Sequence, residues 1–176
     1  MKMMMTVIGQ VLQLVACCFV GLALFAYFFS NAMMYHPPKH HIISSPFDQP
    51  VTLRSGKMIM TRFMPNPKAR YTLLVSHGNA EDLDTMTTLL DQMVAQGYQV
   101  MAYDYPGYGL SQGRPNEQST YEAIDAVYHA LITTKGVLPQ QVILYGNSLG
   151  SGPSFYLASH QKVGGMIIQG GFLSAF

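Results

Sequence analysis

Residues 141–150 read Gln-Val-Ile-Leu-Tyr-Gly-Asn-Ser-Leu-Gly, an apolar run that ends in Gly146-x-Ser148-x-Gly150 and passes into a helix-like stretch. This pattern predicts a strand, a sharp turn and a helix. A serine at the tip of such a turn presents its hydroxyl clear of the backbone, and the flanking glycines remove Cβ atoms that would collide in the bend. The stretch therefore predicts a nucleophilic Ser148 in an α/β fold.

The rest of the chain alternates short β-like runs with helical periods, which indicates βα units on a largely parallel sheet. An initial hairpin is predicted over residues 51–53 and 57–63, and further strands over 71–76, 98–103, 141–145 and 163–169. Apolar residues at helical spacing predict three helices between these strands. One ends at Gly97, one opens with a capping box over Ser119–Glu122, and one covers Gly152–His160.

The N-terminal stretch from Val7 to Phe29 contains no charged residue. As a helix it would be about 34 Å long at roughly 1.5 Å per residue, which is enough to cross a bilayer. We therefore predict that residues 1–34 form a single-pass membrane anchor. The charges of Lys2 and Lys39 favour an N-terminus on the inside by a narrow margin.

Two other interpretations of this N-terminal stretch remain open. A cleaved signal peptide would use Ser30-Asn31-Ala32 as its small-x-small site, although the apolar core exceeds the roughly 7–15 residues of a signal peptide. A lipoprotein box would end at Cys17, but the residues after it stay apolar. Both cysteines, Cys17 and Cys18, lie in this stretch, so no disulfide is predicted for the remainder.

Composition excludes some partners. Charged residues make up only 11% of the chain and the net charge is +1, against about 25% charge in an ordinary soluble domain. No basic stripe is present to bind nucleic acid. Residues 35–50 are a Pro-rich linker, in which the histidines His36, His40 and His41 are predicted to be surface residues, because Pro37 and Pro38 prevent the helix that would align them on a metal.

Three predicted strands end in motifs that belong together. The strand 71–76 leads into His77-Gly78-Asn79, the strand 98–103 into Asp104-x-x-Gly107-x-Gly109-x-Ser111, and the strand 141–145 into the Ser148 turn. Their order and spacing resemble the α/β-hydrolase superfamily, in particular its single-pass, membrane-anchored serine hydrolases with a His-Gly-Asn loop. The resemblance covers residues 35–176. It implies an α/β fold with flanking helices and a mostly parallel sheet, with about six strands present and the last two missing.

The resemblance also implies a role for each matching residue. Ser148 matches the nucleophile that attacks an ester, thioester or amide, and the N–H groups of Leu149 and Asn79 match the oxyanion hole. Asp104 is expected to order its loop by capping the Gly107–Gly109 backbone. The supporting residues of the two turns are His77, Gly78, Gly146 and Gly150. No metal or organic cofactor is implied, because acyl transfer by serine needs only a base and an oxyanion hole.

The family pattern breaks after the nucleophile. It implies an acid and then a histidine later in the chain, but no Asp or Glu follows Asp125 and the only later histidine is His160. His160 stands at the far end of the helix that Ser148 opens, about 18 Å away. A dyad of Ser148 with His77 is one alternative source of a base.

These residues lead us to expect an α/β-hydrolase domain over residues 51–176 that is cut short after its sixth strand. The apolar strand 163–169 would then be an unprotected edge, and residues 36–176 alone would be poorly soluble. We expect a membrane-bound serine hydrolase that acts on a small-molecule or acyl substrate and is inactive if no base reaches Ser148. The alternatives are a non-catalytic, membrane-tethered binding module and a truncated product.

Overall fold

The computed structural model describes residues 2–39 and 44–171, with side chains from Met5 onward. The chain divides into two compact units, Met1–Met34 and Tyr35–Phe176. The first unit contains the helix α1 (Lys2–Met34). By length and composition α1 could cross a membrane, and it is the one such helix in the described residues, although a signal sequence near an N-terminus has the same properties.

The second unit is built on a sheet whose elements alternate as the sequence predicts. Its strands are β1 (Asp48–Thr52), β2 (Met58–Met64), β3 (Thr72–Ser76), β4 (Gln99–Tyr103), β5 (Val142–Asn147) and β6 (Gly165–Gln169). Its helices are α2 (Thr87–Ala95), α3 (Glu117–Thr133) and α4 (Ser151–His160). The strand order is β1-β2-β4-β3-β5-β6. The β1-β2 hairpin and the β2-β4 pair are antiparallel. The β4-β3, β3-β5 and β5-β6 pairs are parallel.

The centre of the sheet explains why the fold forms. All five residues of β3 are buried, as expected of a central parallel strand with both faces covered, and its middle residues Leu73, Leu74 and Val75 are apolar. On one face Leu73, Val75 and Val100 pack in a cluster with Met86 and Leu90. The mostly parallel α/β sheet predicted from the sequence is therefore confirmed.

Two differences from the predicted boundaries concern the starts of α3 and β1. The capping box predicted over Ser119–Glu122 is wrong, because α3 begins at Glu117 and Asn116 is its N-cap. The Asn116 Oδ1 accepts from the Ser119 N–H at 2.8 Å, and the Asn116 N–H donates to Ser119 Oγ at 3.0 Å. Glu122 instead accepts a hydrogen bond from the Ser55 N–H at 2.7 Å.

The first strand also starts earlier than the sequence indicated. β1 begins at Asp48, inside the segment predicted as linker, and includes Pro50. Proline is tolerated there because β1 is at the edge of the sheet and a proline needs no partner for an N–H. At the other edge, β6 is paired in the described residues with β5 alone, and its Met166 and Ile167 are exposed.

Candidate active site

The three sequence motifs begin side by side. Ser76, the last residue of β3, is paired with Tyr103 at the end of β4 and with Gly146 near the end of β5. Because these strands run parallel, the loops that follow them all start at the carboxyl ends of the strands. Ligands bind in α/β folds at these carboxyl ends. The fold thus brings together the His77, Asp104 and Ser148 segments.

Ser148 lies on a strained turn between β5 and α4. Residues Ser148–Gly150 form a single 3-10 turn, and α4 starts at Ser151. Ser148 has φ +48°, the only positive φ among the non-glycine residues that the structure describes. A non-glycine residue in this region costs about 1–3 kcal/mol and persists only where the surrounding structure enforces it. The Ser148 residue is exposed.

The flanking glycines are required by close approach of the backbone. A Cβ on Gly150 would lie 2.0 Å from the carbonyl oxygen of Ser76, and one on Gly146 would lie 2.7 Å from the carbonyl oxygen of Gly150. Both contacts are with backbone. Gly150 must therefore lack a side chain for the turn to pack against β3, and Gly146 must lack one for the turn and α4 to pack against β5.

The backbone donors assigned from the sequence are in the two neighbouring loops. Leu149 follows Ser148 directly and is buried, and Asn79 is three residues beyond the end of β3. Among the backbone hydrogen bonds of the described loops and turns, neither N–H is a donor.

The Asn79 side chain is engaged on both ends. Its Oδ1 accepts hydrogen bonds from the Tyr108 hydroxyl and from the His36 N–H, each at 2.8 Å. Its Nδ2 lies 3.3 Å from Nδ1 of His36. Of the three linker histidines, His40 and His41 lie outside the described residues, and His36 is exposed as predicted. Its link to Asn79 was not predicted, because the two residues are 43 apart in the chain.

His77 is a buried residue that holds the loop in shape. Its ring is 1% exposed and packs on Tyr105, with the ring centroids 4.1 Å apart. Nδ1 donates to the Gly78 carbonyl at 2.7 Å, and the His77 carbonyl accepts from the Tyr105 hydroxyl at 2.6 Å. Nε2 has no hydrogen-bond partner and lies 3.7 Å from Asp104 Oδ1. Nδ1 is bound to the Gly78 carbonyl, and Nε2 is buried and faces Asp104 whereas Ser148 is exposed, which argues against the Ser148–His77 dyad.

Burial shifts the pKa values of this facing pair in opposite directions. It lowers the pKa of the His77 imidazole from 6.5 to about 4. It raises the pKa of the Asp104 carboxyl from 3.8 to about 7, against the opposing effect of a hydrogen bond from the Leu83 N–H. Each shift favours the neutral form, because the charged form loses its hydration when buried.

Asp104 orders its surroundings in a different way from the one expected. We expected it to cap the Gly107–Gly109 backbone. Its Oδ1 instead accepts from the Leu83 N–H at 2.8 Å, and its Oδ2 fills the space where a Cβ on Gly109 would lie, 2.0 Å away. The Asp104 carboxyl therefore links its loop to the segment before α2 through Oδ1. Gly109, which has no side chain, leaves room for Oδ2.

The sequence reasoning missed Glu81. Its Oε2 accepts hydrogen bonds from the Gly78 N–H at 2.6 Å and from Asn147 Nδ2 at 2.9 Å. One carboxylate oxygen therefore joins the loop after β3 to the residue that precedes Ser148. The Gly78 contact spans three residues and has a local signal, but the Asn147 contact spans 66 residues and only the fold creates it.

The histidine that follows Ser148 in the chain is bound elsewhere. His160 Nε2 lies 2.9 Å from Asp125 Oδ1, and His160 Nδ1 donates to the Tyr156 carbonyl at 2.7 Å. This pair links the end of α4 to α3. No group of three or more His, Cys, Asp or Glu side chains in the described residues is arranged to hold a metal ion.

Comparison with known proteins gives a family and a set of relatives. The family model described as serine aminopeptidase, S33, matches residues 67–175. The alpha/beta hydrolase domain-containing protein 17C of Xenopus laevis is 42% identical over 110 residues, which cover 62% of this chain and 35% of that protein. The alpha/beta hydrolase domain-containing protein aho-3 of Caenorhabditis elegans is 38% identical over 124 residues, which cover 70% and 37%. The match thus spans little more than a third of each relative's length.

Solved structures share the fold at low sequence identity. The esterase Pf2001 of Pyrococcus furiosus superposes with a TM-score of 0.62 at 18% identity, covering 73% of this chain and 55% of that one. The esterase EaEST of Exiguobacterium antarcticum has a TM-score of 0.57 at 22% identity, covering 70% and 45%. At these identities the likeness establishes the fold.

Proposed function

This chain belongs to the serine aminopeptidase S33 family of the α/β-hydrolase superfamily, and we propose that it is a serine hydrolase that works through an acyl-Ser148 intermediate. The observation that carries the proposal is the backbone of Ser148. Its φ of +48° is strained for a serine, and the strain presents the residue to solvent beside the loop that contains Asn79. A serine with only a structural role would not need this conformation.

The reaction would proceed in two halves. Ser148 Oγ adds to the carbonyl carbon of the substrate while a base takes its proton, and the N–H groups of Leu149 and Asn79 donate to the oxyanion that forms. Collapse expels an alcohol, thiol or amine, which carries away the proton. Water then attacks the acyl-enzyme and restores Ser148. Loss of one oxyanion donor typically lowers the rate by about 10²–10³.

The substrate classes under this proposal are small-molecule or acyl esters, thioesters and amides. The family description supports an amide substrate, and the two solved esterases support an ester. Hydrolysis of p-nitrophenyl acetate and of an aminoacyl p-nitroanilide by the full chain would separate these classes. Activity on the anilide alone would indicate an aminopeptidase.

A second candidate function is a non-catalytic, membrane-tethered binding module. It is favoured by the surroundings of the described histidines, since His77 faces Asp104 and His160 is bound to Asp125. If no base reaches Ser148, the site could bind an acyl compound without cleaving it. This function predicts that Ser148→Ala leaves ligand binding unchanged.

Labelling with a fluorophosphonate probe tests the first function against the second. The full chain in detergent should be labelled, Ser148→Ala should not, and the matched control Ser159→Ala should be labelled like the unaltered chain. Ser159 is an exposed serine near the end of α4, so its removal controls for non-specific modification. An unlabelled full chain would contradict the hydrolase and favour the binding module.

We also propose that α1 stays on the chain as a single membrane anchor with its N-terminus inside. Its length and apolar composition support this location. The chain should remain in the membrane fraction after carbonate extraction, with an intact mass that includes α1. A shortened chain with a new N-terminus near Ala32 would instead indicate a cleaved signal peptide.

A further inference from the structure

We propose that Glu81 is a positioning residue. It holds the loop after β3, which contains Gly78 and Asn79, against the Ser148 turn, Ser148–Gly150. This inference rests on the proposed function, because it concerns the donors that would stabilise the oxyanion. Glu81 is half-buried and accepts two hydrogen bonds with one oxygen, from the Gly78 N–H and from Asn147 Nδ2. It would act through these two residues rather than on the substrate.

The contact with Gly78 fixes the loop that contains Asn79. The Glu81 Oε2 takes the Gly78 N–H at 2.6 Å, and the Glu81 N–H donates back to the Gly78 carbonyl at 3.3 Å. Glu81 thereby contacts both polar groups of Gly78, whose carbonyl also accepts from His77 Nδ1 at 2.7 Å. The Gly78 carbonyl belongs to the peptide unit that contains the Asn79 N–H, so holding it also sets the direction of that donor.

The contact with Asn147 holds Glu81 against the residue that precedes Ser148. Asn147 is the last residue of β5 and directly precedes Ser148. Its Nδ2 donates to the same Glu81 oxygen at 2.9 Å. Because a charged acceptor strengthens both bonds, the carboxylate is a firmer link than a neutral amide would be. The distance between the donors of Asn79 and Leu149 therefore depends on Glu81.

The packing around Gly78 supports the same role. A Cβ on Gly78 would lie 2.8 Å from Glu81 Oε2 and 3.2 Å from Asn147 Nδ2. The three residues are in contact, and the absence of a side chain at Gly78 is what lets the carboxylate reach both donors. A glutamate with a purely solvent-facing role would not need this space.

The test compares the rate of fluorophosphonate labelling of the full chain in detergent across matched variants. Glu81→Ala should label about 10 to 10² times more slowly than the unaltered chain, the scale of a 1 Å misplacement. The control Glu122→Ala also removes a glutamate that accepts a backbone hydrogen bond, from Ser55, and should label at the unaltered rate. The double variant Glu81→Ala with Asn147→Ala should label no more slowly than the slower of the two single variants. Both substitutions remove the same hydrogen bond between Glu81 and Asn147.

Conservative substitutions at the two positions separate positioning from general loss of stability. Asn147→Asp places two carboxylates together and should slow labelling. Glu81→Gln keeps an oxygen that can accept from both Gly78 and Asn147, and should label at a rate between those of the unaltered chain and Glu81→Ala, because a neutral acceptor makes weaker bonds than a carboxylate. Equal rates for Glu81→Ala and Glu122→Ala, or a Glu81→Gln rate as low as that of Glu81→Ala, would overturn the proposal.

Hydrogen exchange keeps the inference testable if the full chain does not react with the probe. Peptides that cover residues 77–82 should exchange faster in Glu81→Ala than in Glu122→Ala, since the Gly78 N–H loses its acceptor. This measurement is independent of catalysis. Faster exchange without labelling would overturn the hydrolase and retain the positioning role, and unchanged exchange would overturn the positioning role.

Discussion

The Ser148 turn, Ser148–Gly150, and the loop after β3 lie at the carboxyl ends of neighbouring parallel strands but are held in place by opposite means. The turn is held by missing side chains, since Gly146 and Gly150 let backbone pack on backbone. The loop is held by side-chain hydrogen bonds: Asn79 Oδ1 accepts from the His36 N–H and the Tyr108 hydroxyl, and Glu81 accepts from the Gly78 N–H. A backbone contact tolerates no substitution, whereas a side-chain contact can adjust or be replaced. The turn should therefore respond to mutation more severely than the loop.

The largest effect should come from Gly150→Ala. Its Cβ would lie 2.0 Å from the Ser76 carbonyl oxygen and 2.5 Å from the Ser76 carbonyl carbon, so β3 or α4 must move. We expect a loss of about 3 kcal/mol in the free energy of unfolding, the upper range for an overpacked core. The control is Gly152→Ala, where nothing lies within 4 Å. Thermal unfolding of the full chain in detergent should show a large fall in Tm only for Gly150→Ala, and equal Tm values would contradict the backbone contact.

The second effect concerns pH and involves His77 in the loop after β3 and Asp104, which faces it from the loop after β4. The pKa of Asp104 is raised to about 7, so its neutral form stabilises the fold at low pH and this contribution is lost as the pH rises from about 4 through 7. The pKa of His77 is lowered to about 4, so its contribution is present above pH 6.5 and is lost as the pH falls through 4. Between pH 4 and 6.5, Asp104 makes the free energy of unfolding fall with rising pH, and His77 makes it rise.

Single substitutions should reveal the pH dependence that each residue contributes to the stability. With Asp104→Asn the Tm should rise between pH 4 and 6.5 more steeply than in the unaltered chain, and with His77→Gln it should fall across the same range. The corresponding change in the free energy of unfolding should be on the order of 3 kcal/mol, since the pKa of His77 falls from 6.5 to about 4 and one pKa unit corresponds to about 1.4 kcal/mol. Tm profiles of both variants that run parallel to the unaltered one would show that the pair does not titrate in this way.

A smaller loss is expected from Gly78→Ala. Its Cβ would meet Glu81 Oε2 at 2.8 Å and Asn147 Nδ2 at 3.2 Å, both at the ends of side chains that can rotate away. We expect about 1–2 kcal/mol from the weakened hydrogen bonds. The same substitution in a Glu81→Ala background should cost less, because the obstructing oxygen is gone. An equal loss in both backgrounds, measured by chemical unfolding, would place the clash elsewhere.

The smallest effect should be a gain in stability. Ser148→Gly relieves a serine at φ +48° and should raise the free energy of unfolding by about 1 kcal/mol while abolishing probe labelling. Ser159→Gly makes the same change within α4 and should instead lower stability by up to about 1 kcal/mol. A loss of stability at both positions would show that Ser148 is not strained.

The sequence predicted the turn more completely than the loop. Gly146-x-Ser148-x-Gly150 follows an apolar run, so strand, bend and helix could all be assigned from neighbouring residues, and the structure has β5, the 3-10 turn and α4 in that order. The loop was located correctly after β3, but the contacts that hold it were not predicted. Glu81 was missed, and Asp104 was expected to cap its own loop rather than to bind Leu83.

Sequence by itself determined the order of the βα units, the apolar helix and the glycines of the turn. These features depend on residues close together in the chain, where spacing records the geometry directly. Only the tertiary structure decided how His36 binds Asn79, how His77 faces Asp104 and how Glu81 joins Gly78 to Asn147. The physical reason is that such polar contacts can be made by several residue types across any separation, so they leave no fixed spacing in the sequence.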